Sequence, residues 1–127
     1  MRQILLFIKP EFVKSILEGT KLYEYRKSRC RDDVNKMIRY ATAPQKQIVG
    51  EAEIADIIEG NILKVWELTR DHSGITYDSF LEYYRGRGRA IAYRLENIVV
   101  YDKPLTLKDL GIAHAPQSFC YIPRLEA

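Results

Sequence analysis

The stretch from Arg89 to Tyr101, "RAIAYRLENIVVY", puts Ile91, Tyr93 and Leu95 on odd positions and then Ile98 and Val100 on even ones. Side chains of a β-strand alternate between faces, so one run that changes parity needs an extra residue at the change, here Glu96-Asn97. The pattern predicts a long strand with a β-bulge, and bulges are how small barrels bend their strands.

The remaining segments are shorter. Gln3 to Lys9 is apolar and β-favouring, and Pro10 fits the first turn of a helix, where its missing N–H costs nothing. Phe12, Val13, Ile16 and Leu17 recur at helical spacing and Gly19 supplies a stop. Lys21 to Lys27 reads as a second strand, because Tyr23 and Tyr25 alternate with Leu22, Glu24 and Arg26. Met37 to Thr42 and Gln47 to Ile58 predict two more, joined through Ala43-Pro44-Gln45. In the latter, Ile48, Ala52 and Ile54 are expected on one face and Glu51 and Glu53 on the other. Asn61 caps a helix to about Arg70, Thr76 caps another over "YDSFLEYY", "PLTLKDLG" is a turn with one helical turn, and "QSFCYI" is a closing strand. The sum is an α+β domain built on a small, largely antiparallel β-barrel with short helices inserted between strands.

A chain of 127 residues, 46% hydrophobic, supports one ordinary core, so residues 1–127 are expected to form a single domain. The apolar run near the start is only five residues, too short for a secretory signal. No window approaches the ~18 to 20 apolar residues of a membrane span, which predicts a soluble, cytoplasmic protein with no membrane partner. Cys30 and Cys120 lie far apart, there is no C-x-x-C pair, and His72 and His114 stand away from both. That spacing suits no metal, and two reduced thiols and no cofactor are expected. Arg31-Asp32-Asp33 reads as a solvated turn rather than a cation site.

The net charge of +3 is mild, so its distribution carries the information. Seven cations fall between Lys21 and Arg39 against three acids; Arg85, Arg87, Arg89 and Arg94 form a second basic cluster, and acids gather at Glu51, Glu53, Asp56 and Glu59. Such segregation gives one basic face suited to phosphates, with a merely solvated surface as the alternative. Glu24 and Arg26, two apart on a strand, share a face about 7 Å apart. A carboxylate there accepts from the amino or imino edge of a base, and a guanidinium grips phosphate or a carbonyl. The competing reading is a buried ion pair that only fixes register.

"IKPEFVKSILEGTKLYEYRK", then "MIRYATAPQKQIVGEAEI" and finally "APQSFCYIP" resemble the ASCH domain family, a branch of the PUA-like barrel superfamily. The match spans nearly the whole chain, and its core is G-x-K-x-x-E-x-R, met by Gly19, Lys21, Glu24 and Arg26. The resemblance implies a PUA-like barrel of five or six strands with a cleft beside the first helix. It also implies recognition of RNA or a nucleoside-like ligand. Lys21 is then expected at the cleft mouth as a point charge, and Lys9 and Gln117-Ser118 are further ligand candidates because the resemblance places both segments around the cleft. The loop "RGRGR", with Arg85, Arg87 and Arg89, is made for backbone phosphates: glycines allow close approach and arginines supply charge. Lys27 joins this basic set. Tyr83 and Tyr84 precede the loop as candidate base-stacking rings, one of them expected to be buried. A monomer is expected.

Some members of the family resemble amidohydrolases acting on acylated cytidines, and others are associated with RNA cleavage. In the amidohydrolase type a lysine, a threonine three residues later and a glutamate just ahead of a later helix do the work. This chain keeps the lysine as Lys21, the residue that would be catalytic in an enzyme of this kind. Glu24 stands where the threonine would be, however, and "RDHSGI" contains no glutamate. Those departures remove the groups that would activate water. Asp71-His72-Ser73 is no triad, since sequence neighbours do not converge on one reacting atom. His72 or His114 remains a conceivable base for RNA cleavage. The reading is therefore a binding module, with a hydrolase of the same fold as the alternative.

Overall fold

The computed structural model describes residues 2–30, 34–112 and 119–122. Its elements run β1 (Arg2–Ile8), α1 (Pro10–Leu17), β2 (Tyr23–Arg26), β3 (Val34–Ala41), β4 (Gln47–Asn61), α2 (Ile62–Thr69), α3 (Tyr77–Tyr83), β5 (Arg89–Leu105) and β6 (Phe119–Ile122). Pro10 opens α1, and Gly19 at φ +80° closes it, with the Gly19 and Thr20 N–H groups donating back to the Ile16 and Ser15 carbonyls. The Asn61 side chain accepts from the Lys64 N–H at 2.8 Å to cap α2, and Thr76 accepts from the Ser79 N–H at 3.1 Å to cap α3. No helix among the described residues is long and apolar enough to cross a membrane.

The strands form one sheet in the order β2-β5-β4-β3-β1-β6, antiparallel except for β1 beside β3. The predicted bulge is present. Glu51 pairs with Val99 and Glu53 with Glu96, so β5 takes three steps where β4 takes two, and Asn97 adopts φ +50° inside the extra turn. A second irregularity was not legible. Arg39 pairs with Gly50 but Tyr40 with Ile48, which leaves Val49 extra in β4. Ile48 is therefore turned away from Ala52 and Ile54 rather than sharing their face: it packs with Leu5, Phe7 and Tyr40, whereas Ala52 and Ile54 pack with Ile4, Leu6 and Met37.

The sheet curls. Ile4, Leu6 and Ile8 of β1 share one cluster with Ile91, Tyr93 and Leu95 of β5, although β3 and β4 lie between those strands in the order. Ile16 of α1 joins the same cluster. On the other side of β2 and β5, helices α2 and α3 bury Val65, Phe80 and Tyr84 against Tyr25, Ala90 and Ala92. Fully burying a side chain such as Phe80 contributes roughly 2–3 kcal/mol.

The curl does not complete a barrel, which corrects the expectation of a closed one. The edges of the sheet are β2 and β6, and no main-chain hydrogen bond joins β2 to β1 or β6 among the described residues. The reason is reach: β2 has four residues, and β6 covers β1 only from Gln3 to Leu6. Past that point a side chain spans the opening, with Arg26 Nη2 donating to the Phe7 carbonyl at 2.6 Å.

Candidate functional site

A cavity of about 630 Å³ lies in this opening. Phe7 and Ile8 line it from β1, Lys9 from the junction before α1, Glu11 and Phe12 from α1, and Lys21, Glu24, Tyr25 and Arg26 from β2 and its approach. Gly74, Ile75 and Thr76 roof it from the loop before α3, and Ser79, Glu82 and Tyr83 complete it from α3 itself.

Glu24 and Arg26 lie directly opposite Tyr93 and Ile91 in the β2–β5 ladder, so their side chains turn to the concave face with those residues, while Tyr25 turns outward to α2 and α3. Both are buried, Glu24 at 5% exposure and Arg26 at 9%. They face each other loosely, with Arg26 Nη2 at 3.5 Å from Glu24 Oε1. Glu24 Oε2 and Arg26 Nε have no hydrogen-bond partner among the described residues. A buried ion pair that served only register would satisfy these atoms, because an unpaired buried polar atom carries a desolvation penalty of roughly 1–3 kcal/mol.

Lys21 is a correction. It is expected at the mouth but lies in the floor, 2% exposed, bridged to Ser73 rather than inside regular β2. Its Nζ donates to the Ser73 carbonyl at 2.8 Å and sits 4.8 Å from the Tyr25 ring centre and 5.1 Å from that of Phe12. Burial lowers its pKa below the usual 10.5, Glu24 partly opposes the shift, and Arg26 adds to it. The Tyr25 hydroxyl meets Thr69 Oγ1 at 2.6 Å, and burial above all raises its pKa to about 12. The segment in which an amidohydrolase would hold its glutamate instead gives Lys21 a main-chain carbonyl.

The remaining expected residues separate. Lys9 is exposed at the rim, and Lys27 is exposed with its Nζ 4.7 Å from the centre of the half-buried Tyr83 ring. Arg85, Arg87 and Arg89 are exposed on the loop after α3. Arg85 pairs with Glu82 at 3.4 Å, and Arg89 approaches Glu59 at 3.8 Å. Tyr84 is a second correction: at 2% exposure it is core, its hydroxyl 2.9 Å from the Arg26 carbonyl and 3.1 Å from that of Ile91, so it offers no surface for stacking. Tyr83 is the ring that reaches the cavity. Ser118 lies outside the described residues.

Sequence reasoning missed Arg39. It is fully buried on β3, with Met37 and Ala41 on its own side of the strand in the concave cluster. Its Nη2 lies 3.4 Å from the Val99 carbonyl, and Nε and Nη1 have no partner among the described residues. Burial lowers its pKa while Glu24 and Tyr101 act to raise it. The available signal was one arginine inside the otherwise apolar "MIRYA".

The class this fold defines is the ASCH domain. The chain superposes on the crystal structure of ASCH from Zymomonas mobilis with a TM-score of 0.86 at 24% identity, over 96% of this chain and 88% of that one. It is 25% identical over 130 residues to an ASCH domain-containing ribonuclease of Zymomonas mobilis, covering 98% of this chain and 87% of the relative. The N-terminal domain of McrB from Staphylothermus marinus resembles the fold more distantly, with a TM-score of 0.51 at 16% identity over 85% of this chain and 78% of that one. Within the class, residues 3–114 match the family described as a domain of unknown function, DUF365, and the chain belongs to that family.

Proposed function

We propose that the chain binds single-stranded RNA, taking one unstacked nucleotide into the cavity and holding flanking phosphates on Lys27, Arg85, Arg87 and Arg89. The observation that carries this is the unspent hydrogen-bonding capacity of Glu24 and Arg26 at a cavity of nucleotide size. Glu24 Oε2 is an acceptor for the amino or imino edge of a base, and Phe12 and Tyr83 supply apolar ring surface beside it. The exposed arginines of the glycine-punctuated loop adjoin α3, whose Glu82 and Tyr83 line the same cavity. The name of the ribonuclease relative supports RNA as the ligand class.

Filter binding of single-stranded RNA across a salt series tests this. Glu24→Ala and Arg26→Ala are expected to weaken binding about tenfold each without unfolding the domain, by loss of charge-assisted hydrogen bonds. Neutralising Arg85, Arg87 and Arg89 is expected to flatten the salt slope by roughly one unit for each phosphate that no longer meets a cation. Affinity indifferent to all these substitutions would count against the assignment.

One observation favours RNA cleavage as a second reading. Lys21 is buried with its pKa lowered, which brings its neutral amine closer to use as a base beside an anion-binding guanidinium. Labelled RNA incubated with wild type and with Lys21→Ala separates the two: turnover that vanishes in the variant selects the enzyme, and intact RNA with retained affinity selects the binding module.

A further inference from the structure

The interior behind the cavity holds more positive charge than it neutralises. Lys21, Arg26 and Arg39 are all buried, and Glu24 is the one buried carboxylate among the described residues. Among the described residues three guanidinium nitrogens lack a partner: Arg26 Nε, on a residue that lines the cavity, and Nε and Nη1 of Arg39, which lies behind the lining. Buried cations are normally matched by anions, because desolvation otherwise outweighs what dipoles return. We infer that the cavity floor seats the phosphomonoester at the end of an RNA strand, its two negative charges completing the balance that Glu24 begins. The inference rests on the RNA-binding reading and names the part of the strand that enters.

Geometry selects an end over an internal linkage. The floor groups are almost wholly covered, so a ligand atom reaches them only on a projecting group. An internal phosphodiester carries one charge and a ribose on each side, and would require the strand to descend and return through one opening. A terminal monoester carries a charge of about −1.5 to −2 near neutral pH, offers three acceptor oxygens, and projects from a single ribose. Arg26 is already anchored through Nη2 to the Phe7 carbonyl and Lys21 through Nζ to the Ser73 carbonyl, so both are held in place before any ligand arrives. With the phosphate on these two groups, the terminal base lies toward Phe12 and Tyr83.

The test is calorimetric titration of the full chain with non-cleavable 2′-O-methyl hexanucleotides of one sequence, bearing a 5′-phosphate, a 3′-phosphate or hydroxyls at both ends. A uridine monophosphate and inorganic phosphate serve as competitors. One phosphorylated hexamer is expected to bind at least about tenfold more tightly than the hydroxyl-ended one, the value of one well-made charge-assisted contact. Arg26→Gln and Lys21→Met are each expected to erase that preference while salt-dependent binding persists. Equal affinity for all three ends overturns end capture and leaves RNA binding standing, whereas no binding of any hexamer at low salt overturns both. Mononucleotide binding as tight as that of the hexamer overturns capture of a strand end and assigns the seat to free nucleotides. The wild-type comparison decides the matter even if a variant fails to fold.

Discussion

Lys21 is held by the Ser73 carbonyl, and Gly74 beside it leaves the space its side chain fills. At φ +69° Gly74 occupies the left-handed region, and a Cβ added there would meet Lys21 Cβ, with Lys21 Cγ at 2.7 Å and Cδ at 3.0 Å. Gly74→Ala therefore combines backbone strain with overpacking, and a loss of about 2–4 kcal/mol is expected in urea denaturation. Gly19→Ala, at φ +80° with nothing within 4 Å, carries the strain alone and should lose only about 1 kcal/mol. Equal losses would show that the loop does not hold the lysine down. This dependence is also why the site was only half legible. Strand spacing put Glu24 and Arg26 on one face and the family resemblance added Lys21, but the depth of Lys21 is set by Ser73 and Gly74, which are remote in sequence. For Arg39 the neighbours on β4 and β5 decide everything, and only an out-of-place charge marked it.

Among the elements, β5 carries the most pairing: it runs beside β4 from Arg89 to Leu105, holds β2 from Ile91 to Arg94, and changes parity just past the β2 segment. Asn97 at φ +50° makes that change, its side chain donating to Glu53 Oε2 at 2.7 Å. Asn97→Val puts a β-branched residue into a left-handed conformation and is expected to destabilise the protein by about 2 kcal/mol, against less than about 1 kcal/mol for Asn97→Gly. Thermal melts of the two variants check this, and a valine variant as stable as the glycine one would place the bulge elsewhere. The bulge in β5 could be read from the sequence because large apolar side chains flank it. The one at Val49 could not, since Gly50 carries no side chain to mark a face and the mismatch shows only in the pairing with the neighbouring strands β3 and β5.

At the scale of the molecule, tyrosines tie stability to alkaline pH. Burial is the leading cause that raises the pKa of Tyr25, Tyr83, Tyr84, Tyr93 and Tyr101 above the ordinary 10.0. A group whose folded pKa is raised binds its proton more tightly in the folded than in the unfolded chain. The stability it contributes is whole below pH 10 and drains away as pH climbs toward the folded value, about 12 for Tyr25. Urea midpoints should thus hold steady up to about pH 9.5 and then fall steeply, with these five tyrosines adding their absorbance at about 295 nm only as the chain unfolds. Ionisation of these five near pH 10 in a still-folded protein would contradict this. The order of the strands has a mechanical consequence as well. Where a cylinder would be zipped shut by rungs of hydrogen bonds, this one has a seam fastened by the Arg26–Phe7 stitch. Unfastening it forfeits roughly 1.5–3 kcal/mol and disturbs no ladder, so the width of the seam hangs on a side chain, and Arg26→Ala should slacken that edge while the rest of the wall stays whole.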